Sequence, residues 1–221
     1  MIPQGPEAYG YRSGAWTTDA NRAIRAAVWH TTGAGILARF DRDPAKYGTP
    51  FGAALWVFRN QKAGAHFVIG QGRGELVQIA PLEAIAWHVG KAQSWGYRGG
   101  KLSRSRRFDW WRERWCPQGL QGPHGLAGGR LWDGGQCNPN TVGIEIVPAL
   151  GNGPWSDHAW ESIRIVQRSL ADRVPLDPLY QIGHSDAHPH ARTTKRAPGI
   201  GWDPPPGAWD PWTHCARLRA A

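Results

Sequence analysis

No run of this chain approaches the length of a membrane-spanning helix, so nothing in it reads as a transmembrane segment. Met1 to Glu7 shows neither a basic start nor an apolar stretch, so no secretory leader is legible and the expectation is synthesis in the cytoplasm. Cysteine is scarce. Three residues, Cys116, Cys137 and Cys215, cannot all pair within the chain, and none belongs to a C-x-x-C metal pair. They read as reduced thiols, with a Cys116–Cys137 bridge as the alternative. Acidic residues are in deficit: 17 Asp and Glu face 26 Lys and Arg, a formal net charge of +9. Such a balance favours an anionic partner, whether nucleic acid, an anionic membrane or a charged wall polymer.

What the chain has in excess is tryptophan, with 14 in 221 residues. Most serve as core, but a surplus of amphipathic rings also suits a carbohydrate or peptide groove. The length fits one domain with a sizeable core. Residues 1–20 read as irregular and residues 36–50 as a polar loop. Pro50 to Gln61 reads as a helix with Phe51, Leu55 and Phe58 on one face. Ala65 to Gly70 and Glu75 to Ala80 read as a hairpin around Q-G-R-G, and Pro81 to Ala86 as a turn or short helical piece. Ser156 to Val174 is the clearest helix: Trp160, Ile163, Val166, Leu170 and Val174 make its apolar stripe, Ser156 its N-cap, and Pro175 its end. Alternating strands and helices imply an α/β domain over residues 1–221, with a mixed central sheet flanked by helices.

One insertion, about residues 91–139, breaks that order. Between 91 and 115 it carries eight Lys and Arg against two acids, interleaved with aromatics. A solvated loop is the plain reading. An anion-binding arm is the sharper one, and the pattern also suits nucleic acid.

The polar chemistry concentrates elsewhere. Gly183 to Asp210 packs three histidines and three aspartates among prolines, just after an apolar run from Leu179 to Ile182. Proline fixes φ and removes a donor, so this is a rigid loop able to hold polar groups in fixed directions. His184 stands at the end of that predicted strand. Ala23 to Trp29 reads as a second buried strand with His30 at its end, and the small residues Thr31 to Gly35 leave room beside it. Histidines at the ends of neighbouring strands can share a metal. Zn²⁺ takes imidazole nitrogen and carboxylate oxygen, and a catalytic zinc keeps one position for water. Glu145 is the lone acid in the apolar strand from Asn140 to Val147, which is costly unless it is ion-paired or functional.

Five segments occur in one order: W-H-T-T-G-A-G at 29–35, A-H-F-V-I-G at 65–70, A-W-H-V-G at 86–90, N-T-V-G-I-E-I at 140–146 and G-H-S-D-A-H-P at 183–189. Together, over roughly residues 20–212, they resemble the zinc-dependent N-acetylmuramoyl-L-alanine amidases, which are related to peptidoglycan recognition proteins and many phage endolysins. The resemblance implies Zn²⁺ held by His30, His184 and Asp203, with Glu145 as the general base and Lys195 as a cation beside the developing oxyanion. It implies a cleft lined by His66, Trp87, His88 and Asn140. The implied substrate is peptidoglycan, cut between N-acetylmuramic acid and L-alanine by a monomer that acts on the wall after release. Under this reading the 91–115 segment meets anionic wall polymer or lipid, and no specific nucleic acid is expected.

The chain departs from the family at the third ligand. The family places a lysine two residues before its carboxylate, in R-K-T-D-P-G. Matching T-K-R-A-P-G at 194–199 to it keeps Lys195 but puts Ala197 at the ligand position. Matching D-P-P-P-G-A-W-D at 203–210 to the family's D-P-G-P-A-F-D makes Asp203 the ligand and leaves Lys195 or Arg196 to reach in from an insertion. The second register is preferred because it keeps a ligand; Asp186, His188 and His190 are nearby substitutes. The first motivates the alternative function, a non-catalytic module that binds peptidoglycan with an incomplete metal site. A nucleic-acid binder built on 91–115 explains the charge but leaves His30, His184 and Glu145 without a role. His124, His158 and His214 match no motif and read as surface residues.

Overall fold

Two six-residue runs of mostly apolar residues, Ala26–Thr31 (β2) and Thr141–Ile146 (β8), pair in parallel at the centre of the fold. In this computed structural model the described residues are 16–18, 22–24, 26–32, 34–60, 64–88, 97–98, 101–102, 138–147, 154–177, 180–183 and 211–220. Around the central pair lie Phe67–Ile69 (β3), Leu76–Gln78 (β4) and Gln181–Gly183 (β9), completing a five-stranded sheet in the order β4-β3-β8-β2-β9. Only the β3–β4 pairing is antiparallel, so the sheet is mixed, as the sequence predicts.

Side chains alternate across a strand. On β8 that alternation sends Val142, Ile144 and Ile146 to one face and Thr141, Gly143 and Glu145 to the other. The first face is covered by Asp157–Ser169, whose Trp160, Ile163 and Val166 join Ala27, Trp29, Phe67 and Ile144 in one buried cluster. Each such aliphatic side chain contributes about 1.5–3 kcal/mol on burial. Ser156 caps this helix by accepting from the Ala159 amide at 3.1 Å, and its own hydroxyl donates to the Gln71 carbonyl at 2.7 Å, tying the helix start to the β3–β4 turn. In that turn Gly74 has φ of 76°, a left-handed conformation that favours glycine. The helix closes earlier than the stripe suggests, yet Leu170 and Val174 beyond it stay buried. Pro211–Arg219 packs on the same side. His214 is buried there, its ring 4.6 Å from that of Trp29 and 5.7 Å from that of Trp160, which corrects the expectation of a surface residue.

The opposite face meets three helices, Ala34–Arg42 (α1), Pro44–Tyr47 (α2) and Pro50–Asn60 (α3), where Ile36, Ala53, Ala54 and Phe58 cover Val68, Val77 and Val147. With these labels, Asp157–Ser169 is α4 and Pro211–Arg219 is α5. Residues 36–50 are thus largely helical where a loop is expected. Their polarity hides the helix, but Asp43 caps α2 by accepting from the Lys46 amide at 3.1 Å, with Pro44 in the first turn. Ala84–Ala86 (β5) is a strand rather than a turn, paired antiparallel with Trp16–Thr18 (β1) in the supposedly irregular N-terminal region. Within the basic insertion the described parts before Asn138 are Tyr97–Arg98 (β6) and Lys101–Leu102 (β7), a short antiparallel pair.

Candidate active site

The register of the sheet brings the site together. His30 on β2 stands opposite Glu145 on β8, on the face that α4 does not cover. Its Nδ1 lies 3.8 Å from Glu145 Oε1; His30 is 1% exposed and the glutamate side chain 12%. On the other side of β2, Trp29 stands opposite Gly183 of β9. The two strands therefore run in parallel up to the residues immediately before His30 and His184. His184, Lys195 and Asp203 themselves lie outside the described residues.

Two further histidines pack behind this edge. His30 Nε2 is 3.0 Å from His88 Nδ1, and His88 Nε2 is 3.1 Å from Thr141 Oγ1. The His88 ring lies directly on Gly143: a Cβ there would fall 2.3 Å from His88 Cγ, so only glycine leaves room. His66 is fixed by main chain. The Gly143 amide donates to its Nδ1 at 3.0 Å, so the ring proton is on Nε2 and donates to the Ala84 carbonyl at 2.9 Å. Arg22 Nη1 stands 3.0 Å from the same Nε2, donor against donor, while Nη2 donates to the Thr141 carbonyl at 2.5 Å. Burial first, and the Arg22 charge second, lower the His66 pKa to about 3. Burial, followed by His30, His66 and Arg22, holds His88 well below the usual imidazole range. Both rings are neutral.

These contacts correct the expectation that His66 and His88 line a cleft. They are 0% and 6% exposed, and both nitrogens of each ring are engaged by the protein. Trp87 is half-buried, and its carbonyl accepts from the Gly64 amide at 3.2 Å. Asn140 is half-buried at the end of the short 3-10 turn Asn138–Asn140 that leads into β8. Arg22, Thr141 and Gly143 escape sequence reading. Only the glycine carries a cue, since a glycine inside a strand often marks a close approach.

Among the described residues no group of three or more His, Cys, Asp and Glu could by itself hold a metal ion. His30 can supply one imidazole donor, beside the Glu145 carboxylate; the remaining expected donors follow β9. The donor chemistry of the expected set, two imidazoles and a carboxylate, fits Zn²⁺.

A family model described as N-acetylmuramoyl-L-alanine amidase matches residues 20–200. The 1,6-anhydro-N-acetylmuramyl-L-alanine amidase AmpD of Enterobacter cloacae is 27% identical over 129 residues, which is 58% of this chain and 48% of that protein. The chain thus spans about half the length of the curated relative it matches. A crystal structure of a selenomethionine derivative of AmpD is similar over 99% of both chains, at 18% identity and a TM-score of 0.45.

Proposed function

The chain belongs to the N-acetylmuramoyl-L-alanine amidase family, and from that premise we propose that it is a zinc-dependent peptidoglycan hydrolase. The bond cut is the amide between the lactyl group of N-acetylmuramic acid and the L-alanine of the stem peptide. The observation that carries this reading is the parallel register of three strands, which pairs His30 with Glu145 and Trp29 with Gly183. His30, His184 and Asp203 would hold the zinc. When bound, it supplies an activated water and polarises the scissile carbonyl. Glu145 takes the proton of that water on its carboxylate and delivers it to the leaving amine. Lys195 places a cation beside the oxygen that gains negative charge. Trp87 and Asn140, both half-buried, are assigned to contact with the substrate.

The biological role that fits is lysis by a phage-type endolysin, a monomer acting on the wall after release. Its basic 91–115 segment would hold anionic wall polymer or lipid. The test is direct. Zinc content is measured on the purified chain, and new L-alanine amino termini are counted after incubation with purified peptidoglycan. Zinc-loaded protein is expected to free them and chelated protein not to. Full cleavage by zinc-free protein in chelator would overturn the mechanism. Tight wall binding with no new amino termini would move the protein to the non-catalytic alternative.

A further inference from the structure

His88 has no part in the reaction just described, yet a strand glycine is given over to its ring. Resting on the zinc reading above, we infer that His88 is a positioning residue: it accepts the Nε2–H of His30 and so presents His30 Nδ1 as the metal-binding atom. The geometry is a relay of three side chains: His30 Nε2 to His88 Nδ1 at 3.0 Å, and His88 Nε2 to Thr141 Oγ1 at 3.1 Å. A neutral imidazole carries one proton, so the relay has two arrangements. In one, Thr141 donates to His88, His88 donates to His30, and the His30 proton is on Nδ1, toward Glu145. In the other every bond reverses: His30 donates to His88, His88 donates to Thr141, and His30 Nδ1 carries a lone pair. A hydroxyl both donates and accepts, so Thr141 can terminate either arrangement. Only the second leaves Nδ1, the nitrogen on the Glu145 side, able to bind a cation.

The relay is rigid. His88 is buried, and its ring rests where a Gly143 Cβ would fall 2.3 Å from Cγ. Its acceptor nitrogen is therefore held in place rather than sampled among rotamers, as partners that orient metal-binding histidines must be.

The test uses the full chain with Zn²⁺ alone, its affinity read by competition with a chromophoric chelator. His88→Ala is expected to weaken zinc binding about 10- to 100-fold. His88→Asn keeps an acceptor oxygen near the position of Nδ1 and is expected to restore affinity to within about threefold of wild type. In zinc-loaded wild type, long-range nitrogen–proton NMR is expected to find the His30 proton on Nε2. A folded His88→Ala that binds zinc as tightly as wild type overturns the inference, as does an Asn variant as weak as Ala. If His88→Ala does not fold, the His30 tautomer decides: a proton on Nδ1 refutes the inference. Wild-type protein that takes up no zinc overturns the metal reading itself, a result distinct from zinc-binding wild type matched by its variant.

Discussion

Glu145 is an acid on a strand whose other residues are buried, and it stands beside His30, where the proposed mechanism uses it as the proton acceptor. Glu145→Gln keeps the shape and removes the proton acceptor. The expected outcome is a loss of about 10²- to 10⁴-fold in kcat with zinc affinity held within about threefold, checked by amide cleavage and metal competition. Activity within tenfold of wild type would reduce Glu145 to a structural ion pair. His66 makes a different prediction. Its pKa is about 3 in the fold against 6.5 ordinarily, so the folded ring refuses a proton that the unfolded chain accepts. Stability is complete above about pH 6.5 and falls as pH drops toward 3, with a slope of up to about 1.4 kcal/mol per pH unit for this residue. His88 is lowered too and adds to the slope in the same direction. Denaturant midpoints measured from about pH 7 to about 5 should fall more gently in His66→Gln than in wild type; parallel curves would remove His66 as the source. At this scale His30 and Glu145 are legible in sequence because each interrupts an apolar run. The work of His66 and His88 is not, because their partners Gly143, Ala84 and Thr141 are set by tertiary packing.

The α4 face of the sheet is core throughout, whereas the other face carries both the α1–α3 core and the proposed site. The core face was legible: α4 shows a stripe of 3.6-residue period, and every member of it is buried. The three-residue strands β1 and β5 were not, because so short a run has no pattern of its own and each is a strand through its partner. The polar α1 and α2 escaped for the converse reason, since α2 rests on its Asp43 cap and α1 on one contact side carrying Ile36 and Phe40 rather than on a long apolar stripe. The two faces can be separated by mutation. Ile163→Ala on α4 removes a fully buried side chain from the core face and is expected to lower stability by about 2–5 kcal/mol with zinc affinity unchanged. Gly143→Ala on β8 drives a Cβ to 2.3 Å from His88 Cγ and must push that ring away. It is expected to destabilise by about 1–3 kcal/mol and also to weaken zinc binding. Chemical denaturation and metal competition on both variants check the pair. A Gly143→Ala protein with wild-type zinc affinity would break the link between the two residues.

Across the whole molecule, the proposed metal would tie the middle of the sheet to the segment that follows its edge. β9 is one of the two edge strands of the five-stranded sheet, only three residues long, and it is held by the β2 ladder. It is also held by Gln181, whose Oε1 accepts from Trp29 Nε1 at 2.8 Å and whose Nε2 donates to the Pro175 carbonyl at 2.9 Å. The next residue after β9 is His184, and the proposed donors Asp203 and His30 lie far from it in the chain. An ion bound only by the folded state stabilises it by RT ln(1 + [L]/Kd), about 4 kcal/mol at a thousandfold excess over Kd. For a chain of this size that is roughly 8–16 °C in Tm. The gain should also be local. On chelation, the amides of β9 should lose hydrogen-exchange protection before those of β3 and β8, which keep ladder neighbours on both sides. Thermal melts and exchange, each with zinc and with chelator, measure the two effects together. A large Tm shift with β9 protected no more than the rest would place the ion elsewhere in the chain, and no shift at all would remove it from the fold.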